Sequence, residues 1–276
     1  MALWEVFVLN LKKINKIKQF LIIMVSKAEI ISNCKALLEA YHSEKLGYTR
    51  MPEEFNPGFS EKEKSLRLCY FTLPMCLNYQ RDSYKLWESA LKTYNDSETK
   101  VVFNLEQSTY LGSDVLRKYL MKYKVALQTN KHISTWQTVV KTIFTNWGSI
   151  SKLLEKANYD YLKLREIVQS KFKKGFPYLS GPKIFNYWCF ILQAYGGIKL
   201  SNSEYIEIAP DTHVIQCSVM LGVITAEEVE KISREQISER WRAVLKGSGI
   251  NPIDMHPPLW FWSRNNFKFK LVGINE

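Results

Sequence analysis

The segment Phe-Pro-Tyr-Leu-Ser-Gly-Pro-Lys at residues 176–183 constrains the fold most, because it predicts a tight turn that leads directly into a helix. Pro182 suits the first position of that helix, where its missing N–H would have no partner in any case. Ser180 or Gly181 can cap the helix, and a glycine also lets another backbone approach closely. Apolar residues continue the helix until a Gly-Gly pair at 196–197 ends it.

The segment before this turn, from Asp160 to Phe172, also has the spacing of a helix. Its apolar residues are Tyr161, Leu164, Ile167, Val168 and Phe172. Together the two segments predict a helix–hairpin–helix unit, with the basic pair Lys173 and Lys174 before the turn. The free N–H groups at the start of the second helix, reinforced by the helix dipole, form an anion site. Such a unit suits a DNA phosphate and does not read the base sequence.

Charge and cysteine content narrow the class of protein. A formal net charge of +11 and a sequence pI near 9.3 favour a polyanionic partner, either nucleic acid or an anionic membrane surface. The five cysteines lack Cys-x-x-Cys spacing, which argues against disulfides and against a zinc or iron–sulfur site. The chain also lacks phosphate-cradling glycine motifs and the Gly-x-Ser-x-Gly motif of hydrolases. We therefore expect no cofactor, no metal and a reducing compartment.

Helical patterns occupy most of the chain, so we predict an all-α fold. Residues 1–24 form an N-terminal extension, which we expect to be either poorly ordered or an amphipathic helix at a membrane surface. Helices are predicted over 26–41, from Ser60, over 66–94 with a break at Pro74, and over 114–127, 135–147 and 149–157. Beyond residue 211, capping boxes are predicted at Thr225 with Glu228 and at Ser233 with Gln236. The segment Val101–Leu105 is the one strand-like stretch.

Two phrases, Pro-Tyr-Leu-Ser-Gly-Pro-Lys and Pro-Asp-Thr-His-Val, resemble those of the helix–hairpin–helix DNA glycosylases. In that family the hairpin usually reads Leu-Pro-Gly-Val-Gly-x-Lys, and the catalytic aspartate lies in a Val-Asp-x-His-Val phrase. Gly181 matches the second hairpin glycine, Lys183 the lysine of the lyase-active members, and Asp211 the aspartate. The chain departs from the pattern at Leu179, which replaces the first glycine, and in a longer interval between Lys183 and Asp211.

The resemblance implies an all-α, two-lobed helical glycosylase-like fold with a helix–hairpin–helix motif. One lobe would combine residues 25–67 with 201–276, because the chain termini of this family join one lobe. Residues 68–200 would form the helical barrel lobe that carries the hairpin. The chain has the lysine of the lyase-active members and lacks their four-cysteine cluster. In this it resembles the branch without iron–sulfur clusters, the 8-oxoguanine DNA glycosylase/AP lyases.

The resemblance also implies roles for individual residues. Lys183 would be the nucleophile that forms a Schiff base, and Asp211 the activating carboxylate. The expected DNA contacts are Lys173, Lys174, Ser180, Gly181, Pro182 and His213. The candidates for the base pocket or the wedge are Asn78, Gln80, Arg81, Tyr187, Trp188, Trp260 and Trp262. Each aromatic candidate could equally pack in the core, and each polar one could face water.

The expected function is therefore base-excision repair, and the resemblance to the branch without iron–sulfur clusters implies 8-oxoguanine as the target base. The partner would be double-stranded DNA that contains a damaged base, bound by a monomer in the cytoplasm or at the nucleoid. Three alternatives stay open: a monofunctional glycosylase that uses Asp211 and water, a non-catalytic DNA-binding module, and an enzyme acting on a free modified nucleoside.

Overall fold

The computed structural model describes residues 25–48 and 50–274, so the predicted extension over 1–24 lies outside the described residues. The described residues contain twelve α-helices and no β-strand, which confirms the all-α prediction. The helices are α1 Lys27–His42, α2 Lys64–Thr72, α3 Ser83–Asn95, α4 Leu105–Tyr110, α5 Ser113–Lys122, α6 Lys131–Trp147, α7 Ile150–Lys156, α8 Tyr161–Glu166, α9 Pro182–Ala194, α10 Thr212–Met220, α11 Arg234–Leu245 and α12 His256–Arg264.

The helix boundaries follow the capping signals in the sequence. Ser26 caps α1, and the Glu29 side chain accepts a bond from the Ser26 backbone N–H, so that two N–H groups are satisfied reciprocally. Ser233 and Gln236 form the same capping box before α11. Pro74 divides the apolar run as predicted, since α2 ends before it and α3 begins after a short 3₁₀ turn.

Three local predictions differ from the structure. The strand-like prediction for Val101–Leu105 is wrong, because the 3₁₀ turn Lys100–Phe103 and the start of α4 occupy that segment. Helix α5 ends at Lys122 instead of Leu127, since Lys124 adopts a left-handed φ of 64° that interrupts a helix. The Thr225 N–H donates to Glu228, but a series of hydrogen-bonded turns follows instead of a helix.

The described residues fall into two compact units. The first combines residues up to 48 with 210–274, and the second spans Arg50–Ala209. The sequence-based boundaries, by contrast, are at 67/68 and 200/201. In the described part of the chain, no helix has the length and apolar character needed to cross a bilayer.

In the unit Arg50–Ala209, helix α2 contacts α7 and α9, and its rings lie in a buried aromatic cluster. Tyr70 and Phe71 pack edge to face, with ring centroids 5.3 Å apart. The Trp188 indole N–H donates to the Thr72 hydroxyl at 3.0 Å and so ties α9 to α2. Because both partners are buried, this bond holds α9 against the core.

In the other unit, α12 packs against α10 and α1, and α11 packs against α1. Tyr41 of α1 stacks on Phe261 of α12, with centroids 5.9 Å apart and an interplanar angle of 16°. The Trp241 indole N–H donates to Ser218 at 2.8 Å and so links α11 to α10. Helix α12 therefore provides the apolar centre on which α10 is positioned.

Candidate functional site

The turn before α9 is closed by its own backbone hydrogen bonds. The Ser180 N–H donates to the Phe176 carbonyl, and the Gly181 N–H donates to the Tyr178 carbonyl, both at 2.9 Å. Tyr178 has a φ of 60°, a left-handed conformation that is uncommon outside glycine and asparagine. Phe176 and Leu179 are fully buried, and these two apolar anchors hold the turn against the unit. Leu179, which replaces the family's first glycine, therefore serves as a core residue.

Gly181 is the N-cap of α9, and Pro182 is the first helical residue, as the sequence predicted. A Cβ built on Gly181 would lie 3.1 Å from the Tyr178 carbonyl oxygen, so even an alanine would crowd the turn. The Gln169 side chain donates to the Ser180 carbonyl at 3.1 Å, which ties the turn to the helical segment before it. The first turn of α9 is thereby held in one conformation.

The segment that precedes the turn is helical but not uniform. Helix α8 continues as one π-helical turn over Ile167–Lys171 and then as a 3₁₀ turn over Lys173–Gly175. A Cβ on Gly175 would lie 2.5 Å from the Thr142 side chain, so this glycine allows the segment to approach α6 closely. The predicted helix over 160–172 is therefore present, with a widened last turn.

Lys183 lies in the first turn of α9 and is exposed. Its ammonium group forms no hydrogen bond or ion pair with any residue in the described part of the chain. Lys173 and Lys174 are also exposed, on the 3₁₀ turn that precedes the hairpin. The structure thus presents three lysines and a helix N-terminus to solvent within one short stretch of chain, an arrangement that favours anions.

One turn after Lys183, the Tyr187 side chain points into the unit. Its hydroxyl donates to Glu53 Oε1 at 3.1 Å, and the Glu53 carboxyl is fully buried. Burial raises the pKa of Glu53 to about 7, and the Tyr187 bond offsets only part of that rise. Among the described residues, neither Glu53 Oε2 nor the buried Trp87 indole N–H has a hydrogen-bond partner. The Glu53 backbone N–H and the nearby Trp87 indole also lower the pKa of the carboxyl, against the larger rise caused by burial.

The three polar wedge candidates lie between α2 and α3. Asn78 accepts a bond from the Ser83 hydroxyl at 3.2 Å, so it is partly committed to the local chain. Gln80 is exposed, with a left-handed φ of 51°. Arg81 donates to the backbone carbonyls of Val125 at 2.6 Å and Lys124 at 3.1 Å, which makes it a brace for the loop after α5. Gln80 is thus the most accessible of the three.

A stacked tyrosine pair joins this loop to the hairpin. The rings of Tyr79 and Tyr178 lie 5.1 Å apart at 24°, and the Lys131 ammonium lies 5.1 Å from the Tyr178 centroid. Tyr79 is 49% exposed. Sequence reasoning missed this pair because neither tyrosine belongs to a motif. The contact joins residues about 100 positions apart in the chain, so no local pattern indicates it.

The same residues line a small cleft of about 110 Å³ with Gln80, Arg81 and His132. Burial lowers the pKa of His132 most, and the nearby positive charges of Arg81 and Lys131 lower it further. None of the residues that line this cleft is acidic. The surface beside the hairpin is therefore electropositive and aromatic, which suits nucleic acid.

In the other unit, Asp211 is the N-cap of α10. Its Oδ1 accepts the Val214 N–H at 3.0 Å, and the side chain is half-buried. A carboxylate at a helix N-terminus is stabilised by the helix dipole. Capping alone could explain an aspartate at this position, and it also fixes the direction in which the carboxylate points.

His213 belongs to a hydrogen-bonded chain two residues further on. Its Nδ1 lies 3.0 Å from the Ser263 hydroxyl, which in turn donates to Gln216 Oε1 at 2.5 Å. Because Ser263 donates to Gln216, it must accept from His213, which assigns the proton of the neutral ring to Nδ1. Burial lowers the pKa of His213 most, and Arg264 adds to the effect while Asp211 opposes it. The prediction that His213 contacts DNA stays a prediction, and its Nδ1 contact is internal.

The aromatic candidates have different environments. Trp260 is half-buried, packs edge-on against His213 with centroids 5.4 Å apart, and has the Arg264 guanidinium 4.7 Å from its own centroid. Trp262 and Trp188 are buried in the cores of their units, and each indole N–H has a partner. As expected for three adjacent residues on a helix, the aromatics of α12 do not share one face. Trp260 is therefore the aromatic candidate of α12 that is open to a ligand.

The cysteines are buried thiols and are poor candidates for a nucleophile. All five are free and buried, and burial raises the pKa of Cys34 and of Cys69 to about 12. A thiol that stays protonated is a poor nucleophile and a poor metal ligand. In the described residues, no group of three or more histidine, cysteine or acidic side chains could hold a metal ion.

The structure therefore assigns Lys183 and Asp211 to different units: Lys183 is exposed in the first turn of α9, and Asp211 caps α10 two residues before His213. No protein-family model matches the chain, and no curated protein or solved structure matches it significantly.

Proposed function

We propose that this protein is a base-excision-repair DNA glycosylase with AP lyase activity, in which Lys183 is the nucleophile and Asp211 the activating carboxylate. The observation that carries the proposal is the ordered turn at 176–181, which presents Lys183 at the exposed first turn of α9. We interpret α8, the turn and α9 as a helix–hairpin–helix motif within a two-lobed glycosylase-like fold. Double-stranded DNA with a damaged base would be the partner of a monomeric enzyme.

The proposed reaction begins with a damaged nucleotide rotated out of the duplex. The unprotonated Lys183 amine attacks C1′ of the sugar, and the N-glycosidic bond breaks as the base leaves with its electron pair and gains a proton. The Asp211 carboxylate stabilises the positive charge that develops on the sugar. Loss of a proton from the nitrogen and opening of the sugar ring give a Schiff base, and elimination then breaks the bond to the 3′ phosphate.

The exposure of Lys183 in the free protein defines what DNA must contribute. Only an unprotonated amine can attack C1′. Bound DNA would exclude water from the first turn of α9, where the positive end of the helix dipole also disfavours the ammonium form. We therefore expect DNA binding to favour the reactive form of the nucleophile.

Borohydride trapping tests the role of Lys183. Reduction of the Schiff base should link the protein covalently to DNA, and Lys183→Gln should abolish the adduct. Lys199→Gln is the matched control, because Lys199 is an exposed lysine of the same unit outside the hairpin. Undiminished trapping in Lys183→Gln would show that another amine is the nucleophile.

Asp211→Asn tests the carboxylate without loss of the cap. Asparagine is as good an N-cap as aspartate, so α10 should keep its start and DNA binding should persist. Loss of the negative charge should lower base release by a factor on the order of 10² to 10⁴. Base release at the wild-type rate in a folded Asp211→Asn variant would limit Asp211 to its capping role.

The target base is tested with duplexes that each carry one lesion: 8-oxoguanine, uracil, thymine glycol, 3-methyladenine or a thymine–guanine mismatch. We propose 8-oxoguanine as the preferred substrate, by resemblance to the branch without iron–sulfur clusters. Preference for another lesion would change the substrate and leave the roles of Lys183 and Asp211 in place.

The exposed environment of Lys183 also favours a second candidate function, in which the hairpin binds DNA phosphates and Lys183 does not act as a nucleophile. The protein would then be either a non-catalytic DNA-binding module or a monofunctional glycosylase that uses Asp211. A module of that kind would bind DNA with an affinity that falls steeply with salt. It would give no borohydride adduct, and base loss without strand nicking would identify the monofunctional enzyme.

A further inference from the structure

A second cleft, of about 370 Å³, opens on the unit Arg50–Ala209, and none of the residues assigned above lines it. It is lined by side chains from the end of α6, the end of α7, α8 and the π-helical turn. The lining residues that matter most here are Trp147, Lys156, Lys163, Glu166, Lys171 and Phe172. Its volume falls within the range of about 300–1,000 Å³ that is typical of small-molecule sites.

Two aromatic rings form the wall of this cleft. Trp147 and Phe172 pack edge to face, with centroids 4.8 Å apart and an interplanar angle of 66°. Behind Trp147 lies the fully buried Phe176, at 6.2 Å and 30°. Trp147 itself is half-buried. The indole is thus fixed from behind while part of its surface stays open, which is the arrangement that a planar aromatic ligand needs for stacking.

The rim of the cleft is cationic. Three lysines line it against a single carboxylate, Glu166, which already pairs with Lys171 at 3.0 Å. Lys156 forms no ion pair or hydrogen bond with any residue that the structure describes, and both Lys156 and Lys163 are exposed. The Lys163 ammonium lies 3.0 Å from the Asn158 side-chain oxygen, a neutral partner, so neither Lys156 nor Lys163 is paired with a carboxylate among the described residues.

The π-helical turn explains how these groups come to share one cleft. Over Ile167–Lys171 the helix widens by one residue, and the Phe172 N–H bonds to the Ile167 carbonyl at 2.8 Å. Widened turns of this kind are frequent at functional sites. The extra residue sets the position of Phe172, whose ring packs against Trp147 at the end of α6.

We propose that this cleft is a nucleotide-binding site, with an aromatic base stacked on the open surface of Trp147 beside Phe172 and a phosphate held by Lys156 and Lys163. A base alone would leave the lysines unused, and an inorganic anion would leave the aromatic wall unused. A free mononucleotide and one nucleotide of a single DNA strand offer the same chemistry. The site uses neither Lys183 nor Asp211, so it stands independently of the proposed reaction.

Calorimetric titration of the full-length protein tests the ligand class with three probes: adenosine monophosphate, adenosine and inorganic phosphate. The nucleotide should bind saturably and more tightly than adenosine or phosphate, because only the nucleotide engages both halves of the cleft. Equal affinity for phosphate and the nucleotide would overturn the stacking half of the proposal. The absence of saturable nucleotide binding at millimolar concentration would overturn all of it.

Paired lysine variants locate the binding. Lys156→Ala should weaken nucleotide binding about tenfold, as for the loss of one hydrogen bond to a charged group. Lys152→Ala is the matched control, since Lys152 is an exposed lysine one turn earlier on the same helix and does not line the cleft. Equal effects of the two variants would exclude this cleft as the site. Trp147→Leu should weaken the binding of the nucleotide and leave the binding of inorganic phosphate unchanged.

A short single-stranded adenine oligonucleotide separates the two sources of the ligand. Tighter binding of the oligonucleotide than of the mononucleotide, with the same sensitivity to Lys156→Ala, would indicate a strand-binding subsite. Preference for the free mononucleotide, again lost in Lys156→Ala, would indicate a small-molecule site. Borohydride trapping through Lys183 should persist in Lys156→Ala, so failure of this proposal can be distinguished from failure of the proposed reaction.

Discussion

Two buried polar clusters, one in each unit, lie next to the two proposed catalytic residues and differ in how completely their hydrogen bonds are made. The Glu53 cluster (Glu53, Tyr187 and Trp87) includes one residue of α9, Tyr187, which lies one turn after Lys183. One oxygen and one indole N–H of the cluster lack hydrogen-bond partners among the described residues. The His213 cluster (His213, Ser263 and Gln216) follows Asp211, and its hydroxyl both accepts and donates.

The two clusters respond to pH in opposite directions. Burial raises the pKa of Glu53 to about 7, so between roughly pH 4.5 and pH 7 the folded state holds a proton that the unfolded state has released. The contribution of Glu53 to the free energy of unfolding therefore falls as pH rises through that window. Burial lowers the pKa of His213, so below about pH 6.5 the unfolded state holds the extra proton, and stability from this group rises with pH.

This difference separates two uses of a buried polar group. A satisfied chain such as His213–Ser263–Gln216 orients its members at little cost, and here it supports the start of α10. An incompletely paired carboxyl stays neutral, and above its pKa it destabilises the helix that carries Lys183. We therefore expect the Glu53 cluster to set the pH sensitivity of the protein and the His213 cluster to set the local geometry around Asp211.

The largest effect is expected from Glu53→Gln, which mimics the protonated acid at every pH. The unfolding free energy of the variant minus that of wild type should increase by about 2 kcal/mol from about pH 5 to pH 8. Wild type loses stability over this range as Glu53 ionises, whereas the amide does not titrate. Urea denaturation at both pH values measures the difference. Glu54→Gln, at the exposed neighbouring position, should follow wild type, and parallel pH curves for Glu53→Gln and wild type would show that Glu53 does not titrate in this window.

The next effect is expected from Ser263→Ala, which breaks the complete cluster. The variant leaves His213 Nδ1 and Gln216 without their shared hydroxyl, so the unfolding free energy should fall by about 1–2 kcal/mol at neutral pH. Urea denaturation measures the loss. A second readout is base release, which should fall if the chain helps to position Asp211. Unchanged stability would mean that water replaces the hydroxyl at no cost.

A smaller loss, of about 1 kcal/mol, is expected from Tyr187→Phe, because the hydroxyl that satisfies Glu53 Oε1 is removed. The loss should be greater above the pKa of Glu53 than below it, since an ionised carboxylate needs the donor more. In the Glu53→Gln background the pH dependence of this loss should disappear. A loss that stays pH-dependent in the double variant would assign it to another group.

The smallest effect is expected from His213→Gln, which should change the slope of the unfolding free energy against pH. Wild-type stability should rise with pH below about pH 6.5 more steeply than that of the variant, which has no imidazole to protonate. Titration of the histidine ring followed by NMR gives the same information directly. A pKa for His213 at or above that of a free histidine would contradict the lowering by burial.

The sequence was sufficient for features that depend on neighbouring residues. The all-α class, most helix positions and the caps at Ser26, Ser60 and Ser233 depend on local hydrogen bonds and apolar spacing, and the structure confirms them. The start of α9 at Pro182 belongs to the same class. Val101–Leu105 shows the limit, since β-branched residues in a short run fit a buried 3₁₀ turn as well as a strand.

Only the tertiary structure decided which candidate side chains are buried and what they contact. Tyr187, Trp188 and Trp260 have the same aromatic character in the sequence, yet Tyr187 meets a buried acid, Trp188 lies in the core and Trp260 stays half-open. The Glu53 cluster brings together residues that are far apart in the chain, and its raised pKa comes from burial that no local pattern encodes. Hydrogen bonds between neighbouring residues can be predicted from the local sequence. Burial and the pKa shifts that it causes depend on packing among segments that are distant in the chain.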